Sequence, residues 1–580
     1  GESILFAEDT IFGVQIRTQW DLAKLLGFTE PRGSQWTLLA DYLSARGPAV
    51  GINGKYHGND LFGIPGKYNG QVLSYFIFDH GTDDLGSDRL ALVPPSEERG
   101  IFEWRHMQTM PEGFTVIGEV GYVSDRNFLD QYYPWEFDRG KDMETLAYVK
   151  QQQQDWAWTA LVQPEPNNFE YTTEWLPRGD LYTLGHPLLG GWLTWSSHSS
   201  AGYAILHQAD PPSDPNDLFT PIPYFPGVQG ADLMTRHELD APFNLGPVKV
   251  KPFVMGEAAY WGEGFDGQPI NRLAISAGVD TTLEMSRAFP EVQSDIFNLN
   301  GLAHKILIEA GYRYTNVSES LSNIPQYNEF DDNAQERFRE RLVVNTFGGL
   351  LPLTVDPRIY ALRSGAGFDV TSPYNELIDD QEVVRLALRQ RLQTKFGPPD
   401  KQRIRDWMTL DLEASYFPDP GRDNFGVPWG LLTARYAWNM SQRTSLLANA
   451  IYDYFPNAPQ MWNVGVLSQR SERGSVYLGL QSIKVGDGSQ LDSDIVTASY
   501  SYQMSSKWIS TMGTAYDLGE HRNAGQSFTI TRVGLDFLIH VAGSYDVSTG
   551  DVSFAVAIEP RIGNLNNSMT QLSNLLGRGH

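Results

Sequence analysis

Two short segments carry the residue types of hydrolytic or metal chemistry: HGND, with His57 and Asp60, and DHGTDD, with Asp79, His80, Asp83 and Asp84. Imidazoles and carboxylates drawn together from neighbouring hairpin segments could activate a water or hold a divalent ion. The same strings are also what turns look like, because Asp, Asn and Gly accept turn dihedrals. We read them as turns. No P-loop, dinucleotide fingerprint, HExxH or GxSxG sequence occurs anywhere else. The 11 histidines are scattered, and a Cys count of zero removes disulfides, Cys-ligated zinc, iron–sulfur clusters and thiol nucleophiles. The expectation is a protein that is not an enzyme and needs no cofactor or metal.

The elements that would position any such group are strands. Aromatics make up 12% of 580 residues, with Gly 55 and Pro 34, a mixture that suits many short strands separated by turns. A mean hydropathy of -0.34 and the lack of any run of 18 apolar residues exclude membrane helices. Neither excludes a barrel wall, whose lipid-facing apolar residues alternate with lumen-facing polar ones. The net charge of -26 argues against nucleic acid as a partner. The chain opens GESILFAEDT, without the basic n-region of a secretory signal.

Period-two alternation is strongest near the C-terminus. Val533, Leu535, Phe537, Ile539, Val541, Gly543 and Tyr545 alternate with Gly534, Asp536, Leu538, His540, Ala542 and Ser544, with Arg532 just before. Val552, Phe554, Val556 and Ile558 then alternate with Ser553, Ala555, Ala557 and Glu559, across a turn at Asp546–Asp551. The pattern recurs at Leu273–Asp280, Leu302–Tyr314, Met408–Tyr416 and Leu432–Asn439. Each run implies a strand with one greasy and one polar face. The polar faces put Arg532, Asp536, His540, Glu559, Asp411, Glu413 and Arg435 toward a lumen. Tyr452, Tyr454 and Phe455, and Trp156 with Trp158, stand at run ends as an interfacial girdle does.

The fold expected is all-β, a large antiparallel transmembrane β-barrel. About 22 residues per strand and connection gives on the order of 26 strands. It spans residues 1–561, and a polar tail occupies 562–580. Pro-rich or Gly/Pro-rich stretches at Ala209–Pro226, Pro398–Lys401 and Pro418–Pro428 are loops, the first long enough to enter a pore. Asp21–Leu26 and Asn333–Arg341 are each open to a short helix or a loop turn, the second read as a solvated loop or polar lumen face because of its charge.

Four segments add a family resemblance: FGVQIRTQWDLAKLLGF (Phe12–Phe28), WTLLADYLSARGPAVGINGKY (Trp36–Tyr56), the run Arg99–Thr145 with SDRNFL at Ser124–Leu129, and EYTTEWLPR (Glu170–Arg178). Together with Ser499–Glu520 and Leu535–Arg561 they resemble the barrel domain of the LptD family, the lipopolysaccharide-assembly proteins also called organic solvent tolerance proteins. The resemblance implies an integral protein of the bacterial outer membrane that passes lipopolysaccharide into the outer leaflet. It implies as partners lipopolysaccharide, an LptE-like plug lipoprotein, the periplasmic Lpt bridge proteins and membrane lipid. It also implies a lateral gate between first and last strands. Mapped here, that gate pairs the strand near Phe12–Trp20, with Phe12, Val14 and Ile16, against Asp551–Arg561, with Val552, Phe554, Val556, Ile558 and Pro560. Pro560, without a ladder donor, would shorten the seam's hydrogen bonding. The family's N-terminal jellyroll would lie outside this chain, with the first residues as its end. The disulfides that join the two domains in relatives have no Cys here, and the last residues lack the terminal aromatic of barrel-insertion signals.

Three functions compete: lipopolysaccharide translocation, a porin or substrate-specific channel, and a soluble all-β protein that binds or hydrolyses carbohydrate. The third predicts solubility without detergent, and the second a steady conductance.

Overall fold

The computed structural model describes residues 3–86, 88–471, 473–485, 492–518, 522–534, 537–548 and 550–560. Twenty-seven antiparallel strand segments form one sheet, and the first, Ser3–Asp9, pairs with the last, Asp551–Pro560. The short segment Phe243–Leu245 follows Val228–Asp240 along the same neighbour, Val248–Trp261, so the closed wall has 26 strands. Closure matters physically, because every strand finds backbone partners on both sides and no row of N–H and C=O groups is left at an edge.

Directly paired residues share a face. Ile539 and Val541 lie beside Ile558 and Val556, while Leu538, His540 and Ala542 lie beside Glu559, Ala557 and Ala555. On the outside Ile539, Val541 and Ile558 are exposed and Val556 is half-buried, and Leu538, His540, Ala542, Ala555 and Ala557 are buried inside. Val14, Val50, Leu181, Ile275, Leu386 and Phe528 carry the exposed apolar band around the wall. An apolar belt of that extent is unstable in water and stable against hydrocarbon. Trp20 and Trp156 mark one rim of the belt and Tyr42, Tyr122, Tyr452 and Tyr454 the other. Phe455 departs from the expected girdle: it is buried against Phe425, ring centroids 4.7 Å apart.

The alternation misplaces Arg532. It pairs with Ile539, so it is on the outer face, its guanidinium 4.8 Å from the Trp508 ring centroid. The reason is that Arg532 belongs to the preceding strand, Arg522–Val533, and face parity is not carried through a turn. Val533 likewise pairs with Leu538 and is buried inside. Asp536 and residues 561–580, including the expected tail, lie outside the described residues.

Strand connections differ at the two ends. One end has tight turns, such as Phe62 and Gly63 between Gly47–Leu61 and Ile64–Phe78. Its longest connection holds the helix Leu22–Leu26, capped by the Asp21 side chain and by Gly27 at φ 73°. The other end carries the loops 79–97, 124–145, 208–227 and 318–380. These loops are packed, not splayed: Ile222, Tyr224 and Phe225 of the proline-rich segment form one core with Tyr171, Trp261 and Tyr327. Asn333–Phe338 is a helix as expected, but Glu336, Arg337 and Glu340 are buried, not solvated, because this segment lies beneath neighbouring loops. Among the described residues no helix is long and apolar enough to cross a membrane, which says nothing of a wall made of strands.

Candidate functional site

The seam between first and last strands has the shortest backbone ladder among the described wall strands. Its ladder has five residue pairs, Ile4↔Ile558 through Glu8↔Phe554, against seven with the second strand, Gly13–Asp21. The last two strands share ten. Among the described residues no other pair of neighbouring wall strands is so briefly joined, and fewer bonds mean less free energy to part them. Leu5, Ala542, Ala555 and Ala557 pack together on its inner face, with Ala7 beside them. Alanine side chains interlock little, so this junction also has little shape to undo.

The expected gate residues are placed accordingly. Val552, Phe554, Val556 and Ile558 are on the seam's last strand, and the first three seam-side chains outward of it are Ile4, Phe6 and Glu8. Phe12, Val14 and Ile16 are not at the seam: Phe12 lies in the turn after the first strand, and Val14 and Ile16 are on the second strand. The sequence SILFAED (Ser3–Asp9) was missed because it is apolar on both faces, which hides its alternation. Pro560 lies beyond the last seam pair, opposite Phe537.

A cavity of about 400 Å³ lies against the inner side of this seam. Leu5, Ala557 and Glu559 line it from the seam, Arg17, Asp41 and Lys55 from the adjoining wall, and Leu129, Tyr133 and Trp135 from the 124–145 loop above. Apolar and charged patches therefore face one space, the mixed lining an amphiphile requires. Glu559 Oε1 is hydrogen-bonded to His540 Nε2 at 2.6 Å, and His540 Nδ1 is 2.8 Å from Thr531 Oγ1. Those two of the expected lumen groups are brought together.

The 124–145 loop above the cavity is anchored at SDRNFL. Asp125 takes two hydrogen bonds from Arg99, both 2.9 Å, and Arg99 also donates to Asp79 and Asp83 at 2.8 Å. Arg46 reaches the same Asp79 and Asp83 at 3.3 Å. Asn127 accepts from Arg89 at 2.7 Å and donates to Asp217 at 3.1 Å. Arg126 donates to Glu340 at 2.9 Å, and Phe128 is buried, 4.8 Å from the Tyr132 ring. Four loops are thereby tied together by buried ion pairs. Burial opposes ionisation of Asp79, but Arg46, the Tyr132 hydroxyl and Gly81 N–H outweigh it and hold the carboxyl below its ordinary range. Burial wins at Asp83 and pushes it up despite Arg99.

The hydrolytic or metal cluster is not assembled. His57 and Asp60 sit near the tight-turn end, while Asp79 and Asp83 are ion-paired at the long-loop end. His80 is exposed beside Glu97. Asp411, Glu413 and Arg435 do share the inner face. Glu413 meets Arg389 at 2.9 Å and Arg435 at 3.7 Å, and Arg389 reaches Glu309 at 2.8 Å, giving a charged belt across the lumen wall.

Closed wall, exposed apolar belt and charged interior decide the architecture. The chain is a large outer-membrane-type β-barrel. No protein-family model matches it, and no curated protein matches it. Among solved structures it is similar to mutants of the Rhodopseudomonas blastica porin. One has 11% identity and a TM-score of 0.20, covering 57% of this chain and 90% of that one. A triple mutant of the same porin has 10% identity and a TM-score of 0.19 over the same shares. KdgM porin covers 32% of this chain and 94% of its own, at 11% identity and a TM-score of 0.16. Such values carry no argument about function, and the barrel rests on its own strand pairing.

Proposed function

We propose that this barrel sits in a bacterial outer membrane and passes lipopolysaccharide sideways into the outer leaflet through the seam between Ser3–Asp9 and Asp551–Pro560. The observation that carries this reading is the coincidence of the shortest ladder among the described wall strands with a cavity of mixed lining directly inside it. An amphiphile can leave a barrel laterally only where few backbone bonds must break, and only if its polar part has charged company until it leaves. The likeness of SDRNFL and the closing strands to the LptD family supports the same substrate. On this reading the tight-turn end faces the periplasm, where bridge proteins deliver the lipid and a plug lipoprotein of the LptE kind occupies the lumen.

The test is a crosslink across the seam. Phe6 and Val556 are direct partners on the outer face, and the chain has no native Cys. Oxidised Phe6→Cys/Val556→Cys should abolish surface lipopolysaccharide, with reduction restoring it. Undiminished surface lipopolysaccharide in the fully crosslinked protein overturns the proposal. Val14→Cys/Val556→Cys is the control, because the strand Ser3–Asp9 lies between the two positions and they should not link.

The charged belt of Glu309, Arg389 and Glu413 favours a second reading, a substrate-specific channel. A steady conductance in planar bilayers that persists after seam crosslinking selects it.

A further inference from the structure

Beneath the long loops, three segments bring an unbalanced group of carboxylates to one place. Asp142 comes from 124–145, Glu165 and Glu170 from 164–171, and Glu329 and Glu336 from 318–380. Asn333 joins them: its side-chain amide donates to Glu170 Oε1 at 2.7 Å and its backbone N–H to Asp142 Oδ2 at 3.2 Å. Glu329 Oε1 accepts from Thr173 N–H at 2.9 Å and Glu165 Oε1 from Asn167 N–H at 2.6 Å. Glu336 is buried, and its Oε1 has no hydrogen-bond partner in the protein.

Positive charge within reach of the group is limited. Arg337 offsets part of the charge of Glu170, while its hydrogen bonds go to neutral acceptors, Asn333 Oδ1 at 3.2 Å and Phe169 O at 3.1 Å. Arg339 is held by Asp331 at 2.5 Å, Lys141 by Glu119 and Glu144, and Arg126 by Glu340. Glu144, Glu174, Asp331 and Asp332 add more negative charge from the surrounding segments, Glu174 accepting the Glu165 N–H at 2.7 Å. Buried like charges with so little compensation do not all stay ionised. Among the described residues no group of three or more acids and histidines is placed to hold a metal ion. Protons are the neutralising species the geometry allows.

We propose that Asp142, Glu165, Glu170, Glu329 and Glu336 form a proton-operated clasp that holds the 318–380 loop down over the lumen at acid pH and releases it as they ionise. The clasp acts on closure of the barrel and holds whichever solute or lipid the barrel passes. Burial is the main cause of the shifts that agree with it. Asp142 is pushed up to about 6, Glu329 to about 7 and Glu165 to about 8, and Glu170 and Glu336 rise as well. With the closed-state values raised, closure takes up protons. It is fully favoured below the ordinary carboxylate range and weakens as pH climbs through 6 to 8. Each proton released lowers the closed-to-open ratio about tenfold per pH unit.

The experiment uses the full chain in detergent with spin labels at Thr354→Cys, exposed on the loop, and Tyr454→Cys, exposed on the rim. Distances between the labels are read by pulsed electron resonance at pH 5.5 and 8.5, with chelator present. We expect one narrow distance at pH 5.5 and a broad, longer distribution at pH 8.5. Glu165→Gln/Glu170→Gln/Glu336→Gln should keep the narrow distance at both values. Heat-modifiable gel mobility reports that the barrel is folded. If the triple variant does not fold, Glu336→Gln alone should still raise the pH at which the distance broadens. An unchanged distance in the parent at both pH values, or an unaltered pH response in the folded variants, overturns the clasp.

Discussion

Thr10 holds Asp551 across the top of the seam: its backbone N–H and its hydroxyl both donate to Asp551 Oδ1, at 2.8 and 2.6 Å, between residues 541 positions apart. The five-pair ladder thus has a pin at its long-loop end, and toward its other end Glu559 reaches back to His540. Hydrogen bonds to a charged acceptor contribute about 1.5–3 kcal/mol each when partly buried. Asp551→Ala should therefore lower the urea midpoint of unfolding, while Thr10→Ser, which keeps both donors, should leave it near the parent. Equal loss in both variants would show that the pin is not the hydrogen-bond pair.

Arg99 is the second point at which one residue decides order. It is buried and faces Asp79, Asp83 and Asp125 at 2.8–2.9 Å. Removing one partner from a buried ion network costs about 3–5 kcal/mol because the others are left uncompensated. Arg99→Ala should release the 79–97 and 124–145 loops, seen as rapid protease cleavage there, while the wall keeps its heat-modifiable mobility. Arg99→Lys should restore part of the protection only, since an ammonium cannot fork between carboxylates. Loops that stay resistant in Arg99→Ala would assign their order to apolar packing around Phe128 instead.

The wall was legible because alternation survives wherever one face is greasy and the other charged, as in Met408–Tyr416 and Phe537–Asp546. It failed at the first strand, where Leu5 and Ala7 face alanines inside while Ile4 and Phe6 face outward, so both columns are apolar. The error displaced the expected first–last seam by one strand. Arg532 failed for a related reason: the turn before Phe537 resets the face, and no composition signal marks the reset. His540 and Glu559 were placed on the lumen side correctly, but their contact joins two strands and depends on register, which periodicity does not encode. The loop braces were least visible. SDRNFL stood out as a motif, yet its partners Asp217 and Glu340 come from segments read only as loops or a short charged stretch.

The outer face can be checked residue by residue. Val541, paired with Val556 and Ile530, lies in the middle of the apolar belt, and Arg532 lies at its tight-turn rim on Trp508. Arginine near a bilayer midplane costs about 2–4 kcal/mol and near the interface about 0–1 kcal/mol. Val541→Arg should therefore lower the stability of the barrel refolded in lipid vesicles by the larger amount, and Arg532→Ala should change it little. A loss for Val541→Arg in lipid no larger than that for Arg532→Ala would argue against hydrocarbon as the solvent of this face.

Glu257 ties the largest loop to the wall. It accepts from Arg236 Nε at 2.5 Å and from Arg272 Nε and Nη2 at 3.0 and 2.6 Å. The two guanidinium groups then donate to the backbone carbonyls of Gly367, Asp369 and Asn375, at 2.7, 3.0 and 2.7 Å. All three charged side chains are buried, so the loop carbonyls are held only while the carboxylate neutralises the cations beside them. Glu257→Gln keeps the volume and one acceptor oxygen but leaves two buried guanidiniums without a counter-charge, at a cost of about 3–5 kcal/mol. The structure relieves that cost by letting solvent in beneath the loop. Amides around 366–377 should then exchange hydrogen at least a hundredfold faster, about 2.7 kcal/mol at 1.36 kcal/mol per decade, while amides of Val248–Trp261 keep their protection. Faster exchange throughout the wall strands would instead mean that Glu257 stabilises the barrel as a whole and that the loop is held by other contacts.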